Sequence, residues 1–318
     1  MRKLISLCCV VTVLLLASCS ATESANAENQ DAAQTLQPLT MAMMPSLDGL
    51  PIFIADEMGF FKEQGLEVKL ERFSAARDRD IAFQTSEDID GLIFDLIALS
   101  IYAEAGVDML AVASTLGHAS LIGAEGIESL GDLNESTVLI SRSTAMEYIL
   151  NRALMAAGLT PNDVIIEEVP SLPTRLEMLR NGNAHAATLP EPFATIAKDA
   201  GLNVVTTTRD LGINPFILAF RRQTVEDKAQ ELQAFFKGID AAVDYLNTTD
   251  REEFIDILID VVGYPADTRD TLSIPEFQYL RPVDMNNALD ALSFSRDIGL
   301  LTREISAEDV IIDIFVRP

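Results

Sequence analysis

Thiol chemistry in this chain is confined to one end. Cys8, Cys9 and Cys19 are its only cysteines, so everything after them lacks both a nucleophilic thiol and a disulfide. No Gly-x-Ser-x-Gly elbow, His-Glu-x-x-His pair, Walker-type loop or dinucleotide fingerprint occurs along it. The two histidines, His118 and His185, are isolated, and they suggest no metal site. With 49 Asp and Glu residues, paired carboxylates arise by composition alone and argue little for acid–base catalysis. The groups that remain are suited to binding. Ser141-Arg142-Ser143-Thr144 combines hydroxyls with a guanidinium and suits a carboxylate, sulfonate or phosphate. Glu191 would accept from amine or amide donors. No catalytic residue, cofactor or metal is expected.

The first nineteen residues read as a targeting segment. Arg2 and Lys3 precede an apolar stretch from Leu4 to Ala17 that only Ser6 and Thr12 interrupt. A spanning helix needs roughly 20 apolar residues, so this stretch is read as a signal peptide over 1–18. Leu16-Ala17-Ser18-Cys19 resembles a bacterial lipobox, with cleavage before Cys19 and lipid on its sulfur. Two acyl chains give stable anchoring. The other reading is an ordinary cleaved leader in which Cys19 has no role. The expected location is the periplasmic or extracellular face, lipid-anchored to a membrane; Ser20 leaves open which one. Residues 19–38 read as a tether too poor in large apolar groups to offset its ordering entropy. As a coil it would span on the order of 25 Å.

Hydrophobic residues make up 48% of the 318, and the formal net charge is -26. That is enough apolar content for one large or two medium domains. A field of that sign disfavours nucleic acid and anionic lipid surfaces.

From Leu39 the periodicity alternates. Strands are expected at 40–44, 66–70, 92–94 and 109–113, with helices at 52–61, 78–84 and 96–105 between them. A second series follows, with strands at 138–140, 164–169, 186–189 and 204–206 and helices at 146–157, 174–180 and 193–200. This spacing argues βαβ units and mostly parallel sheets. After Phe220 the pattern becomes helical. Leu232, Phe235, Phe236, Ile239, Val243 and Leu246 form one stripe, and 254–262 and 288–298 form others. The helical third cannot form a sheet. The economical arrangement packs it on the first unit, with lobe 1 at 39–120 and 221–318 and lobe 2 at 121–220.

The stretch from Asp48 to Val68, which contains Asp48-Gly49-Leu50-Pro51, Gly59-Phe60-Phe61 and Gly65-Leu66-Glu67-Val68, carries a family resemblance. It resembles the opening of substrate-binding proteins of ABC importers, in the branch for nitrate, taurine, alkanesulfonates and thiamine-pyrimidine precursors. Phe73-Ser74-Ala75-Ala76-Arg77-Asp78, Asp88 to Asp95 and Leu189-Pro190-Glu191-Pro192 match later stations. Ser86 departs from the glycine common there. The resemblance implies an α/β, two-lobed periplasmic-binding-protein (type II) fold. It implies a small-molecule ligand, an ABC permease with its ATPase as partners, and a monomer that is not an enzyme.

In such a fold, ligands sit outside the carboxyl ends of strands, near helix N-termini. The expected ligand-binding residues are therefore Asp48, Phe73, Ser74, Arg77, Asp95, Arg142, Ser143, Thr144 and Glu191. Several have second readings. Thr144, with Glu147, is also a capping box, Asp95 is also a helix cap, Arg77 is also a solvated arginine, and Glu191 is also a turn residue. Phe53 and Tyr148 read as core. The ligand is expected to be a small organic molecule of the thiamine-pyrimidine type, with a sulfonate, taurine or nitrate anion as the alternative. A non-transport enzyme of the same fold is disfavoured, because the yeast enzyme that makes the thiamine pyrimidine depends on a cysteine-rich motif that the mature chain lacks.

Overall fold

The computed structural model describes residues 35–74, 76–270, 272 and 274–313. Cys19, the leader and most of the tether lie outside them. Ten strands form two five-stranded sheets. The first contains β1 (Leu39–Met43), β2 (Val68–Arg72), β3 (Gly91–Asp95), β4 (Met109–Ser114) and β10 (Phe216–Arg221). The second contains β5 (Ala119–Gly123), β6 (Thr137–Ile140), β7 (Ile165–Glu168), β8 (Ala186–Pro190) and β9 (Asn203–Thr207). Their orders are β2-β1-β3-β10-β4 and β7-β6-β8-β5-β9. In each sheet three strands pair in parallel, and one strand runs against both its neighbours.

That reversed strand is β10 in the first sheet and β5 in the second. Each is the first strand after the chain changes lobes, so the two halves share one plan. Residues 115–118 cross into lobe 2 and 208–215 cross back. The boundaries expected at 121 and 220 are therefore displaced. Residues 216–220 belong to lobe 1, where β10 pairs with β3 and β4. The sequence of β10, Phe216-Ile217-Leu218-Ala219-Phe220, lacks a period-2 pattern because both of its faces are covered. β5 is equally buried along its whole length.

Helices cover the sheets. In lobe 1 these are α1 (Leu50–Glu57), α2 (Phe60–Glu63), α3 (Ala76–Thr85) and α4 (Leu96–Ala105). In lobe 2 they are α5 (Ala145–Ala156), α6 (Leu172–Arg180) and α7 (Phe193–Asp199). The C-terminal part adds α8 (Arg222–Asp227), α9 (Ala229–Thr248), α10 (Ile255–Leu258), α11 (Met285–Asp297) and α12 (Ala307–Val310). The α9 stripe packs on α1 and α2 in one core cluster, where Phe61 and Phe235 stack with centroids 5.1 Å apart. Such a pair adds about 0.5–1.5 kcal/mol beyond its buried area. Asp90 ties these layers together. Its carboxylate accepts from Thr40 N at 2.9 Å, Thr224 Oγ1 at 3.0 Å and Lys228 Nζ at 2.8 Å.

Candidate functional site

The strand ends and crossovers meet at a cavity of about 600 Å³ between the lobes. Its lobe 1 wall is largely apolar and includes Leu47, Ile52, Ile93, Leu218, Ile239, Val243 and Phe277. Lobe 2 contributes Glu191, Thr195 and Lys198. Thr115 to His118 line it from the first crossover, and Thr208, Arg209, Ile213 and Asn214 line it from the second. An apolar wall with a few placed polar groups is the usual make-up of a small-molecule site.

Two of the expected residues reach this cavity. Asp48, in the β1–α1 loop, is half-buried and accepts from Thr115 Oγ1 at 2.7 Å. Gly49 beside it leaves room for that loop, since a Cβ there would come within 3.1 Å of the Met43 and Ser46 side chains. Glu191 follows β8 in the turn before α7, and its peptide bond to Pro192 is cis. Glu191 Oε2 accepts from Thr195 N at 3.2 Å and lies 3.4 Å from Tyr264 Oη. Burial and the neighbouring Glu191 charge both push the Tyr264 phenol well up, so it remains a neutral donor.

The other expected residues lie off these walls. Phe73 packs at the edge of the α3–α4 cluster, while Ser74 and Arg77 are exposed. The buried arginine of that helix is Arg79, two residues on. It donates to Ile93 O at 2.8 Å and to Asp80 at 2.7 Å. Asp95 caps α4 through the N–H groups of Ile97 and Ala98, and it also faces the Ala145 N–H at the start of α5. Burial raises its carboxyl and outweighs these donors.

The Ser141–Thr144 loop is satisfied by the protein itself. Thr144 caps α5 through Met146 N at 3.1 Å. The expected reciprocal capping box is displaced by one residue, because Glu147 Oε2 accepts from Ser143 N at 2.7 Å. Ser143 sits at φ 59°, which turns its N–H toward that carboxylate. Arg142 Nη1 pairs with the other Glu147 oxygen at 3.0 Å. Thus two donors that suit an external anion already hold an internal one.

Several cavity residues had little signal in the sequence. Thr115 and Asn214 belong to the crossovers; Asn214 Nδ2 donates to Thr115 O at 2.7 Å and joins the two segments. His118 lies 3.3 Å from Thr208 Oγ1 through Nδ1. Burial lowers its pKa, against the pull of Glu191 and Asp210. His185 Nδ1 accepts from Thr137 N at 2.9 Å, a structural role. Among the described residues no group of three or more His, Cys, Asp or Glu is arranged to hold a metal ion. Nor is any helix among them long and apolar enough to cross a membrane.

The model of the NMT1-like family matches residues 32–262. The chain belongs to the NMT1-like family. Solved structures share the fold across nearly the whole of both chains. The aliphatic sulphonate binding protein SsuA from Escherichia coli is 18% identical, with 88% of this chain and 94% of that chain covered at a TM-score of 0.75. The ligand binding component of an ABC-type import system from Staphylococcus aureus, solved with zinc bound, is 15% identical, with 87% and 97% covered at 0.72. The nitrate-binding protein NrtA from Synechocystis is 15% identical, with 87% and 86% covered at 0.69. No curated protein sequence matches. At these identities the likeness establishes the NMT1-like chain's fold: two α/β lobes of the periplasmic-binding-protein type.

Proposed function

We propose that this chain is an extracytoplasmic solute-binding protein of an ABC importer. It closes its lobes on a small organic molecule and presents the closed form to a permease and its ATPase. One observation carries the reading: the cavity opens where the strand ends of both lobes meet the two crossovers, so filling it biases the angle between the lobes. The structural neighbours named for import, sulphonate binding and nitrate binding support it. The protein acts as a monomer and not as an enzyme, and it is held at the periplasmic or extracellular face by lipid on Cys19.

The solute is a small heterocycle of the thiamine-pyrimidine type. The apolar lobe 1 wall suits a flat ring, and Glu191 suits its amine substituents. A sulfonate or nitrate anion is the second reading, favoured by the neighbours' names.

A thermal-shift screen of candidate solutes tests the function. A ligand at about 100 times its Kd stabilises the fold by roughly 2.7 kcal/mol. Saturable stabilisation without turnover supports a binding protein. Turnover of any candidate overturns it in favour of an enzyme. The anchor is tested separately: Cys19→Ser should move the protein from the membrane fraction to the soluble fraction.

A further inference from the structure

We propose that the cavity takes its solute by a nitrogen group bearing several N–H donors, such as an amidine, an aminoheterocycle or an ammonium. This group lies between Asp48 Oδ1 and Glu191 Oε1, and Tyr264 is the positioning residue that aims Glu191. The proposal rests on the solute-binding reading and gives it a ligand class.

Each carboxylate is held by one oxygen, and among the described residues no donor reaches the other. Asp48 Oδ2 is held by Thr115 Oγ1 at 2.7 Å, and Thr115 is itself fixed through its carbonyl to Asn214. Glu191 Oε2 is held by Thr195 N at 3.2 Å, with Tyr264 Oη at 3.4 Å. Among the described residues, Asp48 Oδ1 and Glu191 Oε1 accept no hydrogen bond from the protein. Both residues line the cavity, one from each lobe. Two acceptors that lack protein donors, on residues that line one space, are best satisfied by a ligand rich in N–H groups.

The distribution of charge points the same way. Asp48 and Glu191 are half-buried, whereas the cations on the cavity wall, Lys198 and Arg209, are exposed, as is Glu276. Charges screened by water count for less than those at depth. A sulfonate at depth would meet two carboxylates and no buried cation. The buried arginines, Arg79 and Arg175, line no part of the cavity. The donors of the Ser143–Ala145 turn already face Glu147 and Asp95.

Tyr264 reaches Glu191 from the other lobe, out of the C-terminal segment that follows α10. It therefore orients the lobe 2 carboxylate only when the lobes are together. Tyr264→Phe keeps the ring and its packing while removing the donor.

The test is a thermal-shift and calorimetric comparison on the purified full chain. One panel holds cytosine, adenine and benzamidine; the other holds methanesulfonate and nitrate. The first panel should stabilise the protein and the second should not. Tyr264→Phe should weaken binding of the first panel about tenfold with the unliganded melting temperature unchanged. Asp48→Asn should weaken it as well, which keeps the test informative should the tyrosine variant fail to fold. Stabilisation by methanesulfonate or nitrate alone would overturn the nitrogen-group inference and leave solute binding intact. Normal affinity in Tyr264→Phe would overturn the positioning role. If neither panel binds and no small molecule copurifies, the solute-binding reading itself fails.

Discussion

Arg175 brings a guanidinium into the interior of lobe 2, where no carboxylate among the described residues pairs with it. It is fully buried in α6 and donates to Val169 O at 3.0 Å and Thr188 O at 2.7 Å, and also to Ser141 Oγ. Val169 and Ser141 lie just beyond the ends of β7 and β6, and Thr188 lies within β8, so one side chain ties three strands of the second sheet together. Burial without a counter-charge pulls its pKa down to about 10. Arg175→Met would leave those carbonyls unpaired and should cost about 2–4 kcal/mol in urea unfolding. His118 gives a pH signature. Its folded pKa lies below 6.5, chiefly through burial, with Arg209 lowering it further and Glu191 and Asp210 opposing. The unfolded chain then binds more protons between 6.5 and the folded pKa, so stability should fall as pH drops through that window. His118→Gln should flatten that fall. At this scale the sequence singles out Asp48 and Glu191, which both line the cavity, because each follows a strand next to a glycine or between prolines. Tyr264 was illegible, since only the fold carries the C-terminal segment to the second lobe's turn. Nothing in the sequence marks Arg175, because most of its acceptors are backbone carbonyls, which leave no trace in residue type.

The crossovers are the elements on which the site depends, and Gly117 shows how closely they pack. A Cβ on Gly117 would come within 2.2 Å of the Phe216 ring. Gly117 lies in the first crossover and Phe216 begins β10 after the second. Gly117→Ala should therefore force them apart, cost about 1–3 kcal/mol, and weaken solute binding in calorimetry as well. Strand and helix positions in both lobes were largely legible from periodicity. α4 occupies Leu96–Ala105, the expected range, and the α9 stripe forms one helix of 20 residues. The exceptions have physical causes. β5 and β10 are buried on both faces and show no alternation. The 254–262 stripe breaks into α10 and a π-helical turn over Ile259–Gly263, ended by Gly263 at φ 89°. Its apolar spacing follows a face, and it does not report the change in hydrogen-bond ladder along that face.

Across the molecule, the lobes also touch through residues that do not line the cavity. The first turns of α5 pack into the lobe 1 cluster around α4 and α11. Tyr148 Oη and Arg152 Nε both donate to Asp290 Oδ2, at 2.6 and 2.7 Å. Arg152 also lies 5.1 Å from the Tyr148 ring centroid. Tyr148 is thus core, as the sequence reading expected, but core shared between lobes. Asp290→Ala should loosen this contact and enlarge the unliganded radius of gyration in solution scattering; an unchanged radius would show that the apolar packing alone holds the lobes. The two-lobe plan was legible because two βαβ series precede the helical tail, while the points of crossover required the strand pairing. The account stands on a solute enclosed beside both crossovers. A crystal structure with a bound solute tests that most directly. The predicted result is ligand density in the cavity, in contact with Asp48 and Glu191. Density at the Ser141–Thr144 loop, or on the outer surface with the cavity empty, would contradict it.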